Sequence, residues 1–285
     1  MDTTFDTTRR SFLQGVGGVL AAGAVAPLAA AAPTSDAGLA PVAVSDRAVG
    51  LRQHVGVFAM ARDFGATGVE LDFGRLGGRP EIDSRLVRPA SRHVFDDAAT
   101  EAGVPIVSLR LGALADTGLT DDPRLDAVMN DFLHTLHAVS IRVGVLPVGR
   151  ADDLGGAGVR ALVIGRLAAF AGRAVPHGTT LALDAPLPPA ELAGLLDEIG
   201  SPGVKACVGD VESFKAVGPE RVAQIRFRYD GVDPVARAVE LNALRRATTA
   251  AGWRGWVVVD RPAASGGTVL GDAGRAVRQV RSIFT

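Results

Sequence analysis

From Val42 to the C-terminus, short apolar runs alternate with longer segments in which apolar residues recur at helical spacing. Short apolar runs rich in Val, Ile and Leu are typical of buried strands, and the longer segments are typical of amphipathic helices. The runs predict eight strands: Val42–Val44, Gly68–Phe73, Ile106–Leu111, Val143–Pro147, Thr180–Asp184, Val204–Val208, Gln224–Arg228 and Gly255–Asp260.

The segments between the strands predict helices, several of which begin near a proline and end at a glycine, as at Gly103, Gly178, Gly200 and Gly252. The helix between the sixth and seventh strands, Glu212 to Val217, is predicted to be short and poorly formed. The other predicted helices are Val55–Phe64, Pro89–Ala102, Pro123–Val139, Val159–Val175, Pro188–Ile199, Pro234–Ala251 and Ala273–Ile283.

The alternation of strand and helix predicts an α/β fold of parallel βαβ units, and eight such units predict a closed (β/α)8 TIM barrel in a single domain. A doubly wound open sheet is the alternative fold. However, the first strand is not followed by the glycine-rich fingerprint of a dinucleotide-binding sheet.

Charged residues cluster where the predicted strands end, which in such a barrel is the face that carries the chemistry. Because strand residues alternate between two faces, apolar neighbours that face the helices would direct these charges into the mouth of the barrel. Each of them alone could instead cap a helix or pair in a loop. Their convergence predicts a polar site built from Glu70, Asp72, Asp184, Arg226, Arg228 and Asp260.

The N-terminus carries an adjacent pair, Arg9-Arg10, followed by Ser11-Phe12-Leu13 and an uncharged run rich in Gly and Ala. This order predicts a twin-arginine signal peptide over residues 1–32, cleaved near Ala31, and therefore export by the twin-arginine translocase to the periplasm, cell envelope or medium. A linker over 33–41 and a barrel over 42–285 follow. An unprocessed membrane anchor or a disordered Ala-rich tail is the alternative.

Composition narrows the class of protein. The chain is 47% apolar and 21% charged, with a formal net charge of −1, which is ordinary for a globular domain. It has no basic surplus or charge run that would suggest binding to nucleic acid or to an anionic membrane. Cys207 is the one cysteine of the sequence, so an intramolecular disulfide framework and a thiolate metal cluster are excluded.

Four stretches resemble the xylose isomerase-like TIM barrels, the sugar phosphate isomerase/epimerase family, and in particular its exported twin-arginine members. These stretches are Gly68–Leu86, Gly200–Lys205, Gln224–Phe227 and Gly252–Asp260. The resemblance implies a divalent metal ion (Mn, Mg, Co or Zn) at the barrel mouth and a proton transfer by paired carboxylates next to a sugar carbonyl.

This sequence departs from the ligand set that the resemblance implies. The two glutamate positions hold Asp184 and Asp260, the aspartate position holds Gly209 with Asp210 one step away, and the histidine position holds Arg226. An arginine stays protonated and has no lone pair to donate, so it cannot bind a metal ion. We therefore predict that a cluster of ion pairs replaces the standard metal site, with Asp184, Asp210 and Asp260 as the remaining metal-ligand candidates.

Two functions stay open. The first is a sugar isomerase or epimerase that acts on an unphosphorylated sugar or sugar derivative, because phosphorylated sugars are scarce outside the cytoplasm. The second is a non-catalytic carbohydrate-binding or accessory protein. The candidate catalytic residues are Glu70, Asp260 and Asp184, and the candidate substrate-binding residues are Asp46, Asp72, Arg75, Arg79, Arg226 and Arg228.

Overall fold

The computed structural model describes residues 40–74, 84–120, 123–148, 154, 156–229, 234–261 and 269–285. Their eight strands are all parallel and form a closed barrel in chain order, in which the last strand pairs with the first. The predicted (β/α)8 fold is confirmed, and no strand end differs from its predicted position by more than two residues. The strands are β1 (Val42–Ser45), β2 (Gly68–Asp72), β3 (Ile106–Arg110), β4 (Val143–Pro147), β5 (Thr180–Asp184), β6 (Val204–Val208), β7 (Val222–Arg228) and β8 (Trp256–Asp260).

Helices connect the strands and cover the outside of the barrel. The glycines predicted to end helices adopt positive φ angles of 62–67°, the left-handed conformation that a glycine tolerates best. The helices are α1 (Gly56–Phe64), α2 (Pro89–Ala102), α3 (Leu114–Thr117), α4 (Leu125–Ala138), α5 (Ala157–Ala174), α6 (Pro189–Ile199), α7 (Val211–Val217), α8 (Pro234–Ala250) and α9 (Val269–Phe284).

Two helices differ from the prediction in more than the positions of their ends. The short helix α3, after β3, was not predicted, because four residues carry too little periodicity to be recognised. The prediction of a poorly formed helix after β6 is wrong. Helix α7 is regular over seven residues, and Asp210 caps it by accepting a hydrogen bond of 2.8 Å from the backbone N–H of Ser213.

The alternation of side chains along each strand separates two cores. Residues on the outer face, such as Leu71, Leu183 and Phe227, pack into the large core between barrel and helices. Residues on the inner face fill the barrel itself. Its apolar part comprises Ala43, Val107 and Val258 with Trp256 against them, and Val145, Ala182 and Cys207 with Val143 and Ala223 against them. Cys207 is thus a packing residue, and burial raises the pKa of its thiol to about 12.

Some predictions fall on residues outside the described ranges. These are the signal over 1–32, residues 33–39 of the linker, Arg75 and Arg79. Export, and substrate binding by Arg75 and Arg79, therefore stay predictions. Among the helices of the described residues, none combines the length and apolar character needed to cross a membrane.

Candidate active site at the C-terminal mouth of the barrel

Arg226 is the centre of the polar layer inside the barrel. It lies on β7 between Ile225 and Phe227, whose side chains belong to the outer core, so its own side chain points inward. Only 1% of that side chain is exposed, and no fully buried side chain among the described residues is larger. A buried guanidinium needs carboxylates around it, and the neighbouring strands supply them.

Three strands each place a carboxylate against Arg226. Nη1 donates to Oδ2 of Asp260 on β8 at 2.7 Å. Nη2 donates to both oxygens of Glu70 on β2, at 2.8 and 2.7 Å. Nε lies 3.6 Å from Oδ2 of Asp184 on β5 and has no hydrogen-bond partner. The guanidinium thus occupies the space between the three carboxylates.

Neutral side chains complete the bonding of these carboxylates. The hydroxyl of Ser45 donates to Asp260 at 2.6 Å, and the hydroxyl of Ser108 donates to Glu70 at 2.9 Å. The side-chain amide of Gln224 donates to the same oxygen of Glu70 at 3.0 Å. The sequence analysis did not predict these three residues. The alternation of side chains along each strand would have indicated that all three point inward.

Asp184 attracts two further arginines. Nη2 of Arg228, at the end of β7, donates a hydrogen bond to Oδ1 of Asp184, and the Arg228 side chain is 45% exposed. Nη2 of Arg110, at the end of β3, lies 3.7 Å from Oδ2 of Asp184 and is buried. Arg110 was also missed from sequence, and the signal that would have found it is its inward parity with Ser108 along β3.

The opposite charges of this cluster keep one another ionised. Burial alone would raise the pKa of Asp184, but Arg226, Arg228 and Arg110 outweigh it and hold that pKa below its ordinary value. Burial would also raise the pKa of Asp260, but Arg226 and further positive charges nearby outweigh it and lower that pKa. Burial would lower the pKa of Arg226, but the surrounding carboxylates raise it well above its ordinary value. These three groups therefore stay charged at neutral pH.

A second carboxylate pair lies beside the cluster. Oδ2 of Asp46, after β1, accepts hydrogen bonds from the backbone N–H of Gln53 at 2.9 Å and of Asp72 at 3.0 Å. Asp72 forms an ion pair of 2.7 Å with Arg52 and accepts from the backbone N–H of Gly112 at 3.2 Å. The close contact between residue 112 and Asp72 requires a glycine, because a Cβ on Gly112 would lie 2.5 Å from Oδ1 of Asp72.

Asp46 differs from Asp184 and Asp260 in its protonation. Burial, followed by the charges of Asp72 and Glu70, raises its pKa to about 8, although two backbone hydrogen bonds oppose the shift. Its other oxygen, Oδ1, is buried and has no hydrogen-bond partner within the described part of the chain. Burial also raises the pKa of Asp72, although the arginines around it act in the opposite direction. Asp46 is therefore mostly uncharged at pH 7.

The residues at the expected metal-ligand positions do not fit a divalent ion. The position between the carboxylates is taken by a guanidinium that donates hydrogen bonds, and a guanidinium offers no lone pair. Both oxygens of Asp210, a remaining ligand candidate, accept hydrogen bonds from Ser213. Across the described ranges, His, Cys, Asp and Glu side chains form no group of three or more arranged to hold a metal ion.

The structure thus brings most of the predicted site residues together. Glu70, Asp184 and Asp260 surround Arg226, while Arg228 joins through Asp184. Asp46 and Asp72 form the neighbouring pair. Asp210, by contrast, belongs to the start of α7.

No protein-family model matches the chain. A curated relative is the 2-epi-5-epi-valiolone 7-phosphate 2-epimerase of an Actinoplanes species, with 30% identity over 187 residues. The match covers 64% of this chain and 62% of that protein, so the chain spans less than two thirds of its relative.

Solved structures share the fold. D-psicose 3-epimerase, determined in the presence of D-fructose, superposes with a TM-score of 0.65 and 13% identity, covering 86% of this chain and 99% of that one. A xylose isomerase domain protein from Alicyclobacillus acidocaldarius gives a TM-score of 0.63 and 16% identity, covering 86% and 98%. The chain therefore shares the TIM barrel fold of a xylose isomerase domain protein and of a sugar epimerase.

Proposed function

We propose that this barrel binds an unphosphorylated sugar or sugar derivative in its C-terminal mouth, and that it does so without a divalent metal ion. The observation that carries the proposal is the position of Arg226, whose guanidinium donates to Glu70 and Asp260 where the resemblance implies a cation. A fixed guanidinium supplies positive charge and hydrogen-bond donors. It cannot expand its coordination to polarise a carbonyl as a Lewis-acid metal does.

The mouth offers groups that suit a polyhydroxylated ligand. Arg47, Arg52 and Arg228 are more exposed than the buried layer below them and present hydrogen-bond donors there. The named epimerases of the same fold support a sugar as the ligand class. The predicted export favours an unphosphorylated sugar, although the curated relative is named for a phosphorylated substrate.

The buried carboxylates are better suited to holding charge than to moving a proton. The pKa values of Asp184 and Asp260 are lowered, so both are weak proton acceptors at neutral pH. Glu70 accepts hydrogen bonds from Arg226, Ser108 and Gln224, which leaves its oxygens committed. These properties favour a binding function over a catalytic function for the three carboxylates.

A metal-independent isomerase or epimerase is the second candidate function, and Asp46 favours it. A carboxyl group whose pKa is about 8 is present in both protonation states near neutral pH, as general acid–base catalysis requires. In this candidate, Asp46 takes a proton from the carbon next to a sugar carbonyl, and the electron pair passes to the carbonyl oxygen to give an enediolate. Return of the proton to the same carbon completes an epimerisation. Return to the former carbonyl carbon, together with transfer of the hydroxyl proton between the two oxygens, completes an isomerisation.

One titration series tests the proposal. We expect at least one member of a panel of pentoses, hexoses and hexuronates to bind with the same affinity in chelator as in millimolar Mn²⁺, as measured by calorimetry. Absence of binding across the panel, or binding in Mn²⁺ alone, would contradict it. NMR spectra of the same mixtures in D2O separate the two candidates, because proton transfer at carbon would introduce deuterium into the sugar and binding alone would not.

A further inference from the structure

We propose that the ligand of this mouth is a sugar acid, whose carboxylate binds Arg110 at the end of β3. This inference rests on the proposed sugar-binding function and names the class of sugar.

The first observation is that three guanidinium groups share one carboxylate. Arg228 donates a hydrogen bond to Oδ1 of Asp184, while Oδ2 is approached by Nε of Arg226 at 3.6 Å and by Nη2 of Arg110 at 3.7 Å. Both distances are longer than a hydrogen bond. Arg226 has Glu70 and Asp260 as closer partners, whereas Asp184 at 3.7 Å is the nearest carboxylate recorded for Arg110 in the described part of the chain.

The second observation is the balance of charge in the cluster. Ion pairs within 4.0 Å link three carboxylates to four guanidinium groups, which leaves one positive charge in excess among these residues. Asp46 does not neutralise it, because that carboxyl is mostly protonated at neutral pH. Asp72 has its own partner in Arg52. The linked groups are Glu70, Asp184 and Asp260 with Arg47, Arg110, Arg226 and Arg228.

The third observation is that Arg110 is buried without being satisfied. Its side chain is 7% exposed, and its Nε has no hydrogen-bond partner. Burial, together with the like charges of Arg226 and Arg47, lowers the pKa of this guanidinium. A buried cation without close partners destabilises the free protein, and a bound carboxylate would stabilise it by pairing with that cation.

A carboxylate suits this position in both charge and shape. Its single negative charge equals the excess in the cluster, and its two oxygens can accept parallel hydrogen bonds from one guanidinium. A neutral hydroxyl would leave the excess charge in place. We therefore expect a hexuronate to bind more tightly than the hexose of the same configuration.

Replacement of Arg110 by methionine tests the inference in two ways. In the free protein we expect the Arg110→Met variant to melt at the same temperature as the wild type or higher, because the change removes an uncompensated buried cation. Among panel members that bind, we expect the variant to lose the preference for the hexuronate over its hexose, which in the wild type should be about tenfold or more. The control is Arg160→Met, which removes a half-buried arginine paired with Glu198 on the outer helices and should keep the preference.

The outcomes separate this inference from the proposed function. If no sugar in the panel binds, the proposed function fails and the inference falls with it. If sugars bind but the hexuronate has no advantage, or if Arg110→Met keeps that advantage, the inference alone is wrong. Hexose 6-phosphates form a third arm, and tighter binding of these than of hexuronates would overturn the choice of a carboxylate.

Discussion

The Arg226→Met variant is expected to lose roughly 3–5 kcal/mol of unfolding free energy, because it leaves buried carboxylates without their shared cation. Glu70 and Asp260 are each about 1–2% exposed, so water cannot replace the guanidinium at either of them. Urea denaturation at pH 7 measures the loss. The Arg160→Met variant is the control, since its ion pair is at the surface and its stability should be close to that of the wild type.

A second variant shows whether the loss comes from unpaired charge or from lost volume. Adding Glu70→Gln and Asp260→Asn to Arg226→Met removes the unpaired charges, and we expect part of the stability to return. If Arg226→Met alone is as stable as the surface control, the carboxylates are not held by this arginine, and our description of the cluster is wrong.

The Asp46→Asn variant is expected to remove most of the pH dependence of stability between about pH 4 and pH 8. The folded protein keeps a proton on Asp46 up to about pH 8, whereas the unfolded chain releases it near the ordinary value of 3.8. The unfolding free energy of the wild type should therefore fall as the pH rises through this window, by up to about 1.4 kcal/mol per pH unit. Asp72 and Asp96, whose pKa values are also raised, contribute in the same direction.

The opposite sign is expected below this window. Asp184 and Asp260 have lowered pKa values, so the stability that they contribute is present above about pH 4 and is lost as the pH falls further. Urea denaturation across the pH range measures both effects. Asp210→Asn is the matched control, because it makes the same substitution at an exposed helix cap away from the buried pair, and asparagine also caps helices well. An unaltered slope in Asp46→Asn would show that Asp46 ionises normally.

The architecture could be predicted from sequence because each of its strands is a short apolar run between helical segments. Alternation along single strands also indicated the inward direction of Glu70, Arg226 and Asp260. The neighbours of Glu70 and Arg226 on either side, such as Ile225 and Phe227, are apolar and pack against the helices, and so does Val259, which precedes Asp260. This information is local, so it can be read from the sequence.

The interaction partners of these side chains could not be predicted from the local sequence. The bond between Arg226 and Glu70 joins residues 156 positions apart, and it depends on the closure of the barrel. The raised pKa of Asp46 depends on burial and on Asp72, which β2 brings alongside. The parity of Arg110 along β3 indicates its inward direction, but its shortage of partners is a property of the folded site.

The metal content of the wild-type protein tests most directly whether the guanidinium of Arg226 takes the place of a metal ion. The full chain would be purified without chelator, incubated with Mn²⁺ and separated from free ions by gel filtration before elemental analysis. We predict far less than one divalent ion per chain, because the space between Glu70, Asp184 and Asp260 is filled by a cation that cannot be exchanged. Close to one tightly held ion per chain would contradict the account and favour a metal-dependent isomerase.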